Sequence, residues 1–228
     1  MMRFPRKGPS ALADIPDLGR IPVDNAPGLA AAPIGDLAAA YAESAQAVDG
    51  ATVGKIFIMT SPAPGQGATT VTANLAIAAS RYGRRVLLID SDTSTHGLSR
   101  FLSTGPVPGL TELARGEATL RQVARMWTID DRTRFPMIPS GARIDNPAIL
   151  SGLTVADAIE TVAETADLIL IDSPPVGWSD ATPHLAVHAD GSILVVSEGA
   201  DEGVVAEAAR KLEEVGAPVV GFITNRAR

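Results

Sequence analysis

The chain has 228 residues, of which 46% are hydrophobic, and this length suits one sizeable core with little room for a second full domain. Its formal net charge of −7 argues against general electrostatic binding of nucleic acid. The lack of cysteine excludes disulfides and thiolate metal sites and agrees with a reducing, cytoplasmic location. Every apolar run is far shorter than the roughly 20 residues that span a bilayer, so we expect no transmembrane segment.

The first 50 residues divide into two parts. Residues 1–35 carry six prolines and show little periodicity, which predicts a proline-rich, flexible tail. Residues 36–50 are rich in alanine, with Leu37, Tyr41 and Ala45 on one helical face. They predict a helix that packs on the domain or on a neighbouring molecule. Residues 51–228 are then expected to form the main domain.

Short apolar runs alternate with helix candidates through residues 51–228. Val71–Tyr82, Val155–Glu164 and Glu202–Val215 have helical patterns. Continuous apolar runs are typical of strands buried on both faces of a parallel sheet. The alternation predicts an α/β fold with a doubly wound, mostly parallel sheet, helices on both faces and a ligand at the carboxyl ends of the strands. The predicted strands are Ile56–Met59, Val86–Ile89, Leu168–Ile171, Ile193–Val196 and Val219–Ile223.

A glycine-rich loop joins the first predicted strand to the first predicted helix. Its glycines allow main-chain N–H groups to converge on an anion at a helix N-terminus, and Thr69 places a hydroxyl where magnesium would bind. Loops of this kind normally carry a phosphate-binding lysine where this chain has Ala68. We predict a site for ATP or ADP with Mg²⁺ that lacks one cation. The predicted cofactor-binding residues are Pro64, Gly65, Gln66, Gly67, Ala68, Thr69 and Thr70.

Three carboxylates follow predicted strands. Asp90 and Asp92 come after the second strand, and Asp172 comes after the third. Beside a phosphate loop, such groups can hold magnesium or orient an attacking group, so Asp90, Asp92 and Asp172 are the catalytic candidates. Thr69, Asp90 and Asp172 are the candidate metal ligands. An Asp at a strand end can instead cap the next turn. Without a nearby cation, clustered carboxylates are also expected to repel one another and resist ionisation.

Other aromatic and basic side chains offer fewer candidates. Trp127 and Trp178 are predicted to be packing residues rather than platforms for stacking a base. Lys55 begins the strand that enters the loop, and Arg81 lies near the far end of the helix that leaves it. Both are therefore expected to lie away from the phosphates.

Three segments, residues 60–70, 86–92 and 168–175, together resemble the nucleotide signatures of bacterial tyrosine autokinases that regulate capsule and exopolysaccharide synthesis. The resemblance extends over about residues 52–226 and implies a P-loop NTPase-like fold. Relatives that position division sites or segregate plasmids share the nucleotide signatures. The Asn146-Pro147 segment and the Asp172-Ser173-Pro174-Pro175 turn favour the polysaccharide branch.

The chain departs from that family at several positions. Ala68 replaces the loop lysine, and Ala63 stands where division-site relatives carry a second lysine. The family's C-terminal tyrosine cluster has no counterpart, and the only tyrosines are Tyr41 and Tyr82. Loss of the cation is expected to weaken nucleotide binding and to impair phosphoryl transfer more strongly.

The resemblance implies a cytoplasmic kinase-like subunit, peripheral at the inner membrane, that works with a polysaccharide chain-length regulator in that membrane. With the departures above, we expect a pseudokinase with weakened nucleotide binding. One alternative is an active tyrosine autokinase or ATPase whose cation comes from Lys55, a local arginine or the partner. Another is a division- or partition-type positioning ATPase. No nucleic-acid partner is expected, and a homo-oligomer is compatible with the sequence.

Overall fold

The computed structural model describes residues 15–22, 35–51 and 54–225. They contain one eight-stranded sheet, in the order β1-β8-β7-β2-β6-β3-β5-β4. All neighbouring strands are parallel except β4 and β5. The strands are β1 (Asp17–Ile21), β2 (Ile56–Thr60), β3 (Val86–Asp90), β4 (Arg125–Thr128), β5 (Arg134–Ile138), β6 (Leu168–Asp172), β7 (Gly191–Ser197) and β8 (Val219–Asn225).

Helices fill most of the connections between the strands. None of those in the described segments is both long and apolar enough to cross a bilayer. The helices are α1 (Asp36–Ala51), α2 (Ala68–Arg81), α3 (Gly97–Phe101), α4 (Leu110–Ala114), α5 (Leu120–Val123), a 3₁₀ turn (Pro147–Ser151), α6 (Leu153–Ala163), α7 (Ala181–Ala186) and α8 (Glu202–Glu214).

Both faces of the sheet are covered by apolar side chains, because successive strand residues point to opposite faces. Phe57 and Met59 pack in the cluster that contains residues of α1 and α2. Ile58, between them, packs in the cluster that contains residues of α6 and α7. The prediction of a doubly wound, mostly parallel α/β fold is therefore confirmed, and the five predicted strands are all present.

Part of the segment predicted as a flexible tail is instead a strand, β1, which pairs in parallel with β8. Only Leu18 and Ile21 give β1 an apolar face. The prolines on either side of β1 make the sequence look like a linker, so the strand was not predicted. Leu18 is 1% exposed and packs over Gly221, where an added Cβ would lie 2.2 Å from a Leu18 methyl. Most of the remaining tail, like residues 52–53 and 226–228, lies outside the described residues.

The antiparallel hairpin β4–β5 was not among the predicted strands. Pro136 lies within β5, and proline usually argues against a strand. The hairpin is held by Trp127, whose ring centroid is 5.3 Å from that of Phe135. The indole Nε1 also donates to the carbonyl of Leu102 over 3.1 Å. Trp127 is thus a packing residue, as predicted.

Candidate functional site

The loop between β2 and α2 lines a cavity of about 410 Å³ at the carboxyl edge of the sheet. Gly65 and Gly67 both have left-handed backbone conformations, with φ of 79° and 84°. A Cβ on Gly67 would lie 2.3 Å from Nδ2 of Asn225. Glycine is therefore required at position 67 by both the backbone and its neighbour. Helix α2 begins at the next residue, Ala68, so its free N–H groups face the loop.

Two contacts from the neighbouring strands hold the loop in place. The Asn225 side chain donates from Nδ2 to the carbonyl of Gln66 over 2.9 Å. The Gln66 side chain in turn accepts, through Oε1, from the amide of Ser197 over 3.2 Å. These contacts join the loop to the ends of β7 and β8. The role of Ser197 was not predicted, because it depends on strand order rather than on local sequence.

On the opposite side of the loop, Asp172 meets two threonines of α2. Thr69 Oγ1 donates to Asp172 Oδ2 over 2.9 Å. Thr72 Oγ1 lies 3.3 Å from Asp172 Oδ1 and 2.8 Å from the carbonyl of Ala68. The structure therefore brings the predicted pair Thr69 and Asp172 together. Thr72 was missed, although its position one turn after Thr69 places it on the same helix face.

Asp172 is 1% exposed, and its burial raises the pKa of its carboxyl well above the ordinary value. The nearby charge of Asp90 raises this pKa further, whereas the hydrogen bond from Thr69 lowers it. This direction agrees with the expectation that the clustered carboxylates resist ionisation. Its main cause is loss of solvation rather than the predicted repulsion between carboxylates.

Asp90 lies beside Asp172 in register across β3 and β6, but its surroundings differ. Its Oδ2 accepts from both the amide and the hydroxyl of Ser99, over 2.9 and 2.7 Å. Its Oδ1 accepts from the amide of Asp92 over 3.0 Å. Asp90 has no exposed surface and lies behind the cavity wall rather than in it. Burial raises the pKa of Asp90 as well.

Asp92 does line the cavity. Its Oδ1 accepts from the amides of Ser94 and Thr95 over 3.0 and 2.9 Å, and its Oδ2 accepts from the Thr95 hydroxyl. Asp92 therefore caps a turn and also presents negative charge to the cavity. Asp92 and Asp172 are the two predicted carboxylates that reach this space.

The turn after β6 forms the rim of the cavity. The Thr60 hydroxyl donates to the carbonyl of Pro174 over 2.7 Å, and the amide of Val176 donates to the carbonyl of Ser61 over 2.9 Å. Trp178 follows, with 70% of its surface exposed. The prediction that Trp178 is a packing residue is therefore wrong, because most of its surface is exposed.

No lysine or arginine belongs to the described lining of the cavity. Lys55 Nζ donates to the carbonyl of Ala163 at the other end of the sheet. Arg81 contacts Thr133 and Asp130, which are also remote. The expectation that these two cations lie away from the loop is confirmed. The lining residues are Ser61, Pro64, Gly65, Gln66, Gly67, Ala68, Thr69, Asp92, Ser94, Thr95, Asp172, Ser173, Pro174, Pro175, Trp178 and Ser179.

The donors around the cavity fit a nucleotide's phosphates with magnesium. A glycine-rich loop at a helix N-terminus supplies main-chain donors for an anion. Oxygen ligands suit magnesium, and Thr69 and Asp172 offer a hydroxyl and a carboxylate 2.9 Å apart. No group of three His, Cys, Asp or Glu side chains in the described part of the chain could hold a metal ion. Phosphate oxygens and water would complete the coordination. Thr70, predicted as a ligand, lies outside the lining.

Comparison with known sequences agrees with this site. Residues 57–228 match the family described as the CobQ/CobB/MinD/ParA nucleotide binding domain, and the chain belongs to that family. The tyrosine-protein kinase CpsD of Streptococcus agalactiae is 32% identical over 175 residues, which cover 75% of each chain. The tyrosine-protein kinase YwqD of Bacillus subtilis is 28% identical over 173 residues, which cover 75% of this chain and 72% of YwqD. The predicted kinship with bacterial tyrosine kinases is confirmed.

Solved structures show the same fold. The BceF tyrosine kinase domain is 27% identical, with a TM-score of 0.80 and coverage of 93% of both chains. The kinase domain of the Escherichia coli tyrosine kinase ETK has a TM-score of 0.83 at 21% identity, covering 97% of this chain and 94% of its own. MinD of Pyrococcus horikoshii, solved with Mg-ADP, has a TM-score of 0.62 at 26% identity, covering 75% of this chain and 70% of MinD.

Proposed function

We propose that this protein is a kinase-like, nucleotide-binding subunit whose capacity for phosphoryl transfer is reduced. The observation that carries the proposal is the combination, around one cavity, of an intact glycine-rich loop and the Thr69–Asp172 pair with Ala68 in place of a lysine. The loop and the pair support binding of ATP or ADP with Mg²⁺. The missing charge supports a pseudokinase.

The loss of the loop lysine is expected to affect nucleotide binding and catalysis to different extents. One charge-assisted hydrogen bond contributes about 1.5–3 kcal/mol, so its loss weakens binding by roughly ten- to a hundredfold. Main-chain N–H groups and Thr69 remain to hold phosphates. Phosphoryl transfer depends mostly on stabilising the charge that develops in the transition state. Loss of the loop cation therefore harms turnover more than binding.

The two tyrosines of the chain are poorly placed to accept a phosphate from the same molecule. Tyr41 is 2% exposed, and burial raises the pKa of its phenol to about 12. Tyr82 is 56% exposed but follows the last residue of α2. At 1.5 Å per residue, the 14 residues of α2 place it roughly 20 Å from the loop. Only transfer to Tyr82 of another molecule would be sterically open.

We further propose that the subunit is cytoplasmic and acts at the inner membrane by binding a polysaccharide chain-length regulator, so that it controls capsule, exopolysaccharide or adhesive polysaccharide export. The support is the kinship with bacterial tyrosine kinases and the resemblance of residues 146–150 and 172–175 to the polysaccharide branch. The 32% identity to CpsD favours this branch over positioning ATPases.

An active kinase or ATPase is the second candidate, because Arg100, among the described residues, lies near the cavity. Arg100 Nη1 donates to the carbonyl of Thr95, a lining residue, over 3.1 Å. Its guanidinium is held by that carbonyl rather than by the phosphate loop. If Arg100 nevertheless serves as the missing cation, Arg100→Gln will abolish turnover in the natural chain.

The experiment compares ATP turnover and phosphotyrosine formation by the natural chain, Ala68→Lys and Ala68→Gln. Each of the three is also measured with the additional substitution Tyr82→Phe. We expect little turnover by the natural chain and by Ala68→Gln, and at least a tenfold rise for Ala68→Lys. Robust tyrosine phosphorylation of the purified natural chain would overturn the pseudokinase. An equal rise with Ala68→Gln would show that charge is not what position 68 lacks.

A further inference from the structure

Asn225 joins the phosphate loop to the end of β8. The residue is buried, with 6% of its surface exposed, and its Nδ2 donates to the carbonyl of Gln66 over 2.9 Å. The same Nδ2 lies so near Gly67 that a Cβ added there would be 2.3 Å away. Gly67 directly precedes α2, and its carbonyl accepts from the amide of Val71 over 2.9 Å. Asn225 therefore holds the two residues that lead into the free N–H groups of α2.

The backbone of Asn225 lies between two neighbouring strands. It is in register with Ser197 of β7 on one side and with Ile21 of β1 on the other. The carbonyl of Asn225 also accepts from the amide of Glu198 over 3.1 Å. Strand β1 is the outermost strand at this side of the sheet. The position of Asn225 thus depends on β1 as well as on β7.

Strand β1 and helix α1 pack together with α2. Leu18 and Ile21 of β1 belong to the same buried apolar cluster as Tyr41 of α1 and Ala68 of α2. The Tyr41 side chain is also hydrogen-bonded to the side chain of Asn74 in α2. The N-terminal strand and helix therefore support both β8 and α2, which are the two elements that Asn225 links at the loop.

We propose that Asn225 is a positioning residue for phosphate binding, and that β1 controls nucleotide affinity through it. A site made of main-chain N–H groups binds an anion only when those groups converge, so displacement of the loop weakens all of its contacts together. These donors matter more here because Ala68 supplies no charge. The inference rests on the proposed function, because it describes the regulation of that same site.

Two ligands distinguish positioning from direct contact with the nucleotide. Calorimetry measures the affinity of the full chain for Mg-ADP and for Mg-pyrophosphate, which lacks a nucleoside, with and without Asn225→Ala. We expect both affinities to fall by the same factor, about three- to tenfold, because the loop binds the phosphates that both ligands contain. The amide signals of Gly67 and Ser197 should also shift in the ligand-free, ¹⁵N-labelled variant. Asn146→Ala, which removes an asparagine cap outside the cavity lining, should change neither measurement.

Leu18→Ala tests the role of β1 without changing the loop or β8. Loss of its packing should shift the same two amide signals and weaken both ligands by about two- to fivefold. Ile159→Ala is the control, because it shortens a buried side chain in the other large apolar cluster. It should lower stability to urea without moving either signal. Leu18→Val gives the same comparison if Leu18→Ala does not fold.

The positioning role would be overturned if Asn225→Ala left both affinities unchanged, or if it weakened Mg-ADP binding alone and so assigned the side chain to the nucleoside. Unchanged signals and affinities in the folded Leu18 variant would remove the control by β1. Equal shifts in Ile159→Ala would show that general destabilisation moves the loop. If the natural chain binds neither ligand while Asn225→Ala still moves the two signals, the link between Asn225 and the loop stands and the proposed function fails.

Discussion

The ends of β3 and β6 present the same sequence pattern, a buried apolar run followed by an aspartate, yet the two aspartates differ in their surroundings. Asp90 and Asp172 pair in register across adjacent strands. Asp90 uses both oxygens to hold Ser99 and Asp92, and it does not reach the cavity. Asp172 meets the hydroxyls of Thr69 and Thr72 and lines the cavity.

We propose that this difference gives the two aspartates different tasks. Both carboxylate oxygens of Asp90 accept hydrogen bonds from neighbouring residues, and these bonds stabilise the turn that contains Asp92. Asp90 therefore acts on the site through its neighbours. A buried carboxylate held by hydroxyl groups, beside a space for phosphates, is available to a cation. We therefore propose Asp172, together with Thr69, for magnesium. Asp90 was predicted as a catalytic residue and metal ligand, and we propose it instead as a positioning residue.

Asp90→Ala should produce the largest effect on stability. It leaves the buried amide and hydroxyl of Ser99 without their acceptor, so we expect the free energy of unfolding to fall by about 2–4 kcal/mol. The matched variant Asp172→Ala should lose less than about 1 kcal/mol, because Thr72 keeps its hydrogen bond to the Ala68 carbonyl and Thr69 lines the cavity, where water can replace the lost acceptor. Urea unfolding at neutral pH measures both. Equal losses would remove the distinction between the two aspartates.

Asp172→Asn should change how stability depends on pH. In the unfolded chain Asp172 ionises near the ordinary carboxyl pKa of about 3.9, whereas the pKa is raised in the fold. Between these values the folded state binds more protons, so the contribution of Asp172 to stability decreases as pH rises. Asparagine cannot ionise. The advantage of Asp172→Asn over the natural chain should thus be small in acid and grow towards neutral pH.

Urea unfolding at several pH values measures that advantage, and Asp167→Asn is the control of opposite sign. The Arg85 guanidinium bonds to both oxygens of Asp167 and lowers its pKa, so Asp167→Asn should lose stability, relative to the natural chain, as pH rises. The account of Asp172 would be contradicted if the stability gained by Asp172→Asn over the natural chain stayed constant or decreased as pH rises.

Thr72→Val should have a smaller effect than Asp90→Ala. Its single hydroxyl proton is shared between the Ala68 carbonyl and Asp172, and the shorter contact is to Ala68. We expect a loss of about 0.5–1.5 kcal/mol in the free energy of unfolding. In a double-mutant cycle with Asp172→Asn, the coupling energy should be below about 1 kcal/mol. A larger coupling would make Thr72 a principal partner of Asp172.

The parts of the fold and site that could be predicted are those determined by local sequence. Buried runs such as Leu168–Ile171 indicate strands without knowledge of their neighbours, and the Gly65–Thr69 pattern indicates a phosphate loop. The contact of Ser197 with Gln66 depends on β7 lying beside β2, which no local pattern encodes. Strand β1 has only two apolar residues. It forms because it can pair with the edge strand β8, where Gly221 leaves room for the Leu18 side chain.

The distinction between Asp90 and Asp172 could not be predicted for the same reason. Ser99 reaches Asp90 only because α3 folds back over the end of β3. Likewise, the exposure of Trp178 depends on what surrounds a turn, whereas composition suggests only that tryptophan is usually packed.

The most direct test of the central claim is a calorimetric titration of the natural chain with ADP and ATP, with and without magnesium, beside Ala68→Lys. The account predicts magnesium-dependent binding by the natural chain, and binding by Ala68→Lys that is roughly ten- to a hundredfold tighter. Binding by neither protein, when both are folded, would contradict it and leave the loop as a turn without a ligand.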